Sequence, residues 1–131
     1  MSKSRKRYLA LVFFLIFSAR AEGQQGKASW YSEASCKREG TSGIWTASGE
    51  RFSDNKLSCA IRSRDWGSKY LVTNLENGKT VIVRHNDYGP GKKATSRGVI
   101  IDLSSAAFGR IADRKLGVIS VRVQKMGECN G

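Results

Sequence analysis

One proline, one histidine and three cysteines are all that the 131-residue chain contains of these types, and each scarcity excludes something. With a single histidine and no C-x-x-C spacing, a structural metal site is not expected, and no cofactor is called for. Three cysteines, at positions 36, 59 and 129, leave three single pairings open. Cys36–Cys59 is the preferred disulfide, because both residues lie in the N-terminal half beside loop-like segments. Cys129 is then left over in a Gly-flanked tail. The apolar run over residues 8–17 is too short for a comfortable membrane span, although a retained anchor is its alternative reading. No cysteine follows that run closely, which argues against a lipid anchor. Repeats and low-complexity tracts are absent, and at this length there is room for one domain.

Acids are also scarce, 11 against 23 basic residues. Lys3, Arg5, Lys6 and Arg7 form a cationic start, residues 8–17 an apolar middle, and Ser18-Ala19-Arg20-Ala21 a small-residue cleavage signal. Together they read as a signal peptide, residues 1–21, cut after Ala21, leaving one domain over 22–131 in the periplasm or cell wall. Removing it takes five basic residues and no acids, so 18 bases face 11 acids and the mature charge is +7. That charge favours an anionic partner. An exported protein rarely meets nucleic acid, so carboxylated or phosphorylated envelope glycans are the expected class, with charge kept merely for solubility as the alternative.

What remains is β-rich. Residues 27–31 alternate small and aromatic side chains, and residues 32–49 read as a long loop carrying Cys36 and Trp45. Residues 57–61 form a short strand of mostly small residues. Residues 70–75 and 80–84 flank Asn77-Gly78, the strongest short hairpin signal available. Residues 97–103 read as a strand after a basic loop with Lys92 and Lys93. A helix over 105–112 follows, capped by Asp102 or Ser104, with Ala106, Phe108, Ile111 and Ala112 as its apolar stripe. Residues 118–123 alternate as the last strand. Six short strands and one short helix predict a mostly β fold, a small closed or nearly closed barrel.

The chemistry concentrates in Val81-Ile82-Val83-Arg84-His85-Asn86-Asp87-Tyr88-Gly89-Pro90. A β-branched run ends in an acid and an amide just before a turn that must stop the strand. Asp87 therefore sits at a strand end, either as a turn cap or as a positioned acid at the edge of a cleft. His85 lies two residues earlier, so a regular strand puts both side chains on one face unless a bulge intervenes. It reads either as a packed barrel histidine or as a member of the site.

Five motifs in order, Ala28-Ser29-Trp30-Tyr31, Thr46-Ala47-Ser48-Gly49-Glu50, Val72-Thr73-Asn74-Leu75 with Asn77-Gly78, Arg84-His85-Asn86-Asp87-Tyr88-Gly89-Pro90 and Ile101-Asp102-Leu103-Ser104, resemble the rare-lipoprotein-A family of bacterial envelope proteins. The resemblance covers residues 26–125. It implies a six-stranded double-psi β-barrel, related in fold to expansins and barwin, acting as a monomer on peptidoglycan glycan strands poor in stem peptides. The implied activity is that of an endolytic lytic transglycosylase. Carried over, Asp87 is the general acid and base, and Glu50 orients it, stabilises positive charge or binds sugar hydroxyls. The third family position, a His, falls on Ile61 here, and His85 is the candidate to replace that imidazole from another strand. Tyr88, Trp30 and Asn86 are the expected sugar-binding residues, with core packing the competing role for Trp30. The Ile61 departure favours a second reading, a non-catalytic, expansin-like glycan-binding module. A third reading, a scaffold for protein interaction or inhibition, has no specific support.

Overall fold

The computed structural model describes residues 23–38 and 44–127. The expected leader and Cys129 lie outside them. Six strands, β1 (Gln24–Tyr31), β2 (Ser58–Ala60), β3 (Lys69–Asn74), β4 (Thr80–Asp87), β5 (Val99–Ser104) and β6 (Ile119–Lys125), close into a barrel. Its order around the circumference is β1-β5-β2-β4-β3-β6. β1 runs parallel to β5 and β2 parallel to β4, while the four remaining pairings are antiparallel. This is the mixed six-stranded double-psi barrel expected from the motifs, and closure leaves no free sheet edge.

Alternation builds the core. Val72 on β3, Val81 and Val83 on β4, Ile101 and Leu103 on β5, and Val121 and Val123 on β6 point inward, as a period of two requires. The β3–β4 hairpin forms where Asn77-Gly78 placed it, with Thr73 opposite Thr80. Gly78 takes a positive φ of 75° there, which only glycine adopts without steric cost.

One short helix was expected and three are present among the described residues. Helix α1 (Glu33–Arg38) opens the segment expected to be all loop, and α2 (Lys92–Ser96) occupies the basic loop. At six and five residues, both are too short for a helical apolar period to register in the sequence. The expected helix is α3 (Ser105–Ile111), whose Ala107, Phe108 and Ile111 are fully buried in the core.

Ser104, not Asp102, caps that helix. Its hydroxyl accepts from the Ala107 amide at 3.3 Å and the Ser58 amide at 3.3 Å, and donates to the Lys56 carbonyl at 2.6 Å. Ser104→Ala therefore removes a cap and strands two buried backbone groups. We expect a loss of about 2 kcal/mol of unfolding free energy by urea titration. A loss under about 0.5 kcal/mol would show that water replaces the hydroxyl.

Candidate functional site

The barrel end that holds Asp87 opens into a cleft of about 560 Å³, walled by Trp30, Tyr31, Trp45, Asp87, Tyr88 and Asp102. Its floor is Ala60, at the end of β2. Ala60 pairs with Asp87 on β4 on one side and with Asp102 on β5 on the other. Two interstrand spacings thus separate the acidic residues, about 10 Å at the backbone. The barrel order alone brings them together, since β5 and β4 both flank the short β2.

Asp87 is held rigidly and presented to the cleft. Its Oδ1 accepts from the backbone amides of Ala47 and Tyr88, each at 2.9 Å. Its Oδ2 lies 3.4 Å from the Tyr31 hydroxyl, which donates to it. Tyr31 is fixed by stacking on Phe52, ring centroids 4.6 Å apart. Burial, and then the negative charge of Asp87, push the Tyr31 hydroxyl far above the ordinary phenol range, so it stays a donor. Asp102 accepts a hydrogen bond from the Ser29 hydroxyl on neighbouring β1. Gly89 is buried at the turn, where a Cβ would stand 3.6 Å from Asp102 Oδ2 and 3.5 Å from Ala60 Cβ. A side chain at that position would stand against Asp102 and the Ala60 floor.

Glu50 stands beside the cleft rather than in its wall. Its Oε1 accepts from Arg84 Nη2 at 2.6 Å and Nε at 3.2 Å, and its Oε2 accepts from Asn86 Nδ2 at 3.4 Å. The Arg84 hydrogen bond holds the Glu50 carboxyl below its usual value. Glu50 is therefore a carboxylate that pins the loop after Trp45 onto β4. That loop supplies the Ala47 amide to Asp87, and its Ser48 amide bonds the Asn86 carbonyl at 3.2 Å. Of the roles expected for Glu50, orienting Asp87 fits this geometry.

Asn86 was expected to bind sugar. It is instead a buried residue turned to Glu50. The reason is a break in β4: Cys59 pairs with His85 but Ala60 pairs with Asp87, so Asn86 is an extra residue in the ladder. That bulge also separates His85 from Asp87. The His85 side chain lies wholly inside the barrel, not in the cleft, so it does not reach a substrate there. Ile61 lines a separate shallow depression with Tyr70 and Lys125.

The expected aromatics divide. Tyr88 is exposed at the cleft mouth, with the Arg62 guanidinium 5.3 Å over one face of its ring. Trp30 is half-buried against Phe108, and its indole N–H donates to the Arg114 carbonyl at 3.0 Å. It serves both packing and the cleft wall. Trp45, 58% exposed, is a further cleft aromatic that the loop reading carried without a role. Asp102 went unassigned because a helix cap accounted for it.

The Cys36–Cys59 disulfide is not formed. Cys59 faces the barrel interior and packs in the core, whereas Cys36 sits on α1 at the cleft wall. Burial pushes the Cys59 thiol well above its ordinary value, so it stays protonated and inert.

Residues 23–123 match the family model described as lytic transglycolase. The chain is 40% identical over 103 residues to a probable endolytic peptidoglycan transglycosylase of Nostoc, covering 79% of this chain and 26% of that protein. It is 43% identical over 96 residues to a namesake from Synechocystis, covering 73% and 27%. An endolytic peptidoglycan transglycosylase of Pseudomonas aeruginosa is 35% identical over 116 residues, covering 88% and 31%. The chain thus spans about a quarter to a third of the length of these curated relatives. Among solved structures, a Clavibacter michiganensis expansin mutant in complex with cellohexaose aligns with a TM-score of 0.60 at 21% identity, over 84% of this chain and 53% of that one. Streptomyces papain inhibitor aligns with a TM-score of 0.56 at 24% identity, over 79% and 94%. These two establish a shared fold. On the family match and the sequence identities, the chain belongs to the lytic transglycolase family of double-psi β-barrel domains.

Proposed function

We propose that the chain is an endolytic peptidoglycan transglycosylase that cleaves glycan strands poor in stem peptides, with Asp87 as its general acid and base. The observation that carries this is the Asp87 carboxyl itself. Two backbone amides fix one oxygen, and the other faces the cleft beside Tyr31. The names and identities of the matched relatives support the substrate class.

The reaction needs little machinery. Asp87 donates a proton to the glycosidic oxygen as the bond from that oxygen to the anomeric carbon breaks, with an oxocarbenium-like transition state. The 6-hydroxyl of the same sugar then attacks the anomeric carbon and returns its proton to Asp87. The products are a 1,6-anhydro end and a free 4-hydroxyl, with no water consumed. Asp102, across the Ala60 floor, supplies negative charge near the developing cation. Glu50, through the Ala47 loop, holds Asp87 in line.

Incubation of peptide-free glycan strands with the protein tests the proposal. Mass spectrometry is expected to find 1,6-anhydro ends, and unchanged strands at high enzyme would reject it. In that event the glycan-binding reading takes over, and exposed Trp45 and Tyr88 at the cleft mouth favour it as a stacking platform. Under either reading Trp45→Ala should weaken glycan binding by roughly 2- to 10-fold, the scale of one aromatic contact. Titration calorimetry checks this, and unchanged affinity would remove Trp45 from the site.

We further assign the protein to the envelope outside the cytoplasmic membrane, as a secreted monomer freed of residues 1–21 and without nucleic-acid partners. The basic, apolar and small-residue segments of the first 21 residues support export, and the closed barrel supports the monomer. N-terminal sequencing of envelope protein should begin at Glu22.

A further inference from the structure

We propose that His85, backed by Asp65, is a positioning residue that braces Asp87 from inside the barrel. The kinetic part of this inference rests on the transglycosylase reading, whereas the structural part rests on geometry alone.

His85 is the chain's single histidine and is fully buried. Its Nε2 lies 3.0 Å from the Asp87 carbonyl oxygen and 3.2 Å from that of Ile61. The Ile61 amide also donates to the Asp87 carbonyl, at 3.2 Å. These bonds fall where the ladder needs them. The extra residue Asn86 breaks the β2–β4 register, and the imidazole spans the break from behind. It fixes the point at which Asp87 leaves the strand.

Asp65 holds the ring on its other side, with Oδ1 2.7 Å from His85 Nδ1. The approach is out of line with the N–H direction, so it is a close polar contact rather than an aligned hydrogen bond. Ser63 and Tyr70 donate their hydroxyls to Asp65 at 2.5 Å each, and Lys125 Nζ sits 2.9 Å away. Trp66 and Tyr70 pack on the imidazole, with centroids 5.0 and 6.0 Å from it. The Cys59 thiol on β2 is its cross-strand neighbour.

The protons follow from the partners. Burial opposes the Asp65 charge, but the bonds from Ser63, Tyr70 and Lys125 outweigh it and hold the carboxyl far below its usual range. The Tyr70 hydroxyl, pushed up to about 12 by burial and by Asp65, keeps its proton. Asp65 is thus an ionised acceptor, and both carbonyls facing Nε2 can only accept. A bare lone pair on Nε2 would face two carbonyl oxygens at close range. Asp65 lies between the His85 ring and the Lys125 ammonium. The imidazole is fully buried, and its placement directly behind the strand end that carries Asp87 gives it a purpose beyond packing.

The test uses the single histidine. A long-range proton–nitrogen spectrum of the ring should show Nε2 carrying a proton toward the two carbonyls, and a bare Nε2 would overturn the bracing. The Ala47 and Tyr88 amides report on Asp87 Oδ1, so their resonances should move in Asp65→Asn and in His85→Leu. Stationary resonances in folded variants would overturn the bracing. Turnover of peptide-free glycan should fall on the order of 10- to 100-fold in His85→Leu with KM unchanged, the scale of a small misplacement of a catalytic group. His85→Gln, which keeps a donor toward the two carbonyls, should recover part of that loss. Equal turnover in Gln and Leu variants would reduce His85 to packing. If wild type makes no anhydro product, the transglycosylase reading fails, and the ring and amide spectra still decide the bracing.

Discussion

Asp87→Asn should lower the yield of 1,6-anhydro ends by on the order of 100- to 10,000-fold, the range contributed by a positioned general acid. The fold should not change, and the bonding of Asp87 explains why. An amide oxygen can keep both hydrogen bonds from the Ala47 and Tyr88 amides. The amide nitrogen then faces the Tyr31 hydroxyl at about the present 3.4 Å, and that hydroxyl can turn to accept. What is lost is the transferable proton. Matching melting curves beside lost product would confirm this, and undiminished product would mean that another residue protonates the leaving oxygen. Asp102 would be the one to examine next, as the other carboxylate over the Ala60 floor. If glycan binding survives Asp87→Asn while wild type itself yields no product, the domain is a binding module.

Phe108→Ala should carry the largest cost to stability, about 3 to 5 kcal/mol. Phe108 is fully buried in the core and packs against Trp30. Helix α3, which carries it, is tied at both ends. Ser104 caps its start, and the Ile111 carbonyl at its end accepts from Asn74 and Asn77 at 2.8 and 3.0 Å. The helix therefore cannot slide inward to fill the cavity, and the full cavity term should persist. Denaturant unfolding checks the value. A cost under about 2 kcal/mol would mean that the barrel end collapses onto the void, and Trp30 would then shift with it. Because Trp30 also walls the cleft, that outcome should weaken glycan binding.

Local signals made much of this fold legible. Asn77-Gly78 marked the hairpin, alternation marked the first and last strands, a β-branched run marked β4, and a turn after Asp87 marked its end. What escaped depends on chain-distant neighbours or on a single inserted residue. The parity rule placed His85 and Asp87 on one face. His85 follows Val81 and Val83 inward, and Asn86, the extra residue in the ladder, takes Asp87 off that face and itself turns toward Glu50. Nothing in the composition of Arg84-His85-Asn86-Asp87 signals such a bulge, because it arises from pairing with β2. Asp102 was hidden differently. Its role depends on β5 lying next to β2, a neighbour relation that the closed barrel creates and no local pattern records. The Cys36–Cys59 pairing failed for the same reason, since nearness to loops does not say which side of a strand a thiol faces.

Isotope tracing distinguishes an internal attack from hydrolysis, and so tests the central claim most directly. Peptide-free glycan strands are cleaved by the wild-type protein in water enriched in heavy oxygen, and the new ends are weighed. With the 6-hydroxyl as nucleophile and Asp87 shuttling the proton, the ends should be 1,6-anhydro sugars carrying no label, and Asp87→Asn should abolish them. Reducing ends that carry the heavy oxygen would contradict the account, because water would then have been the nucleophile.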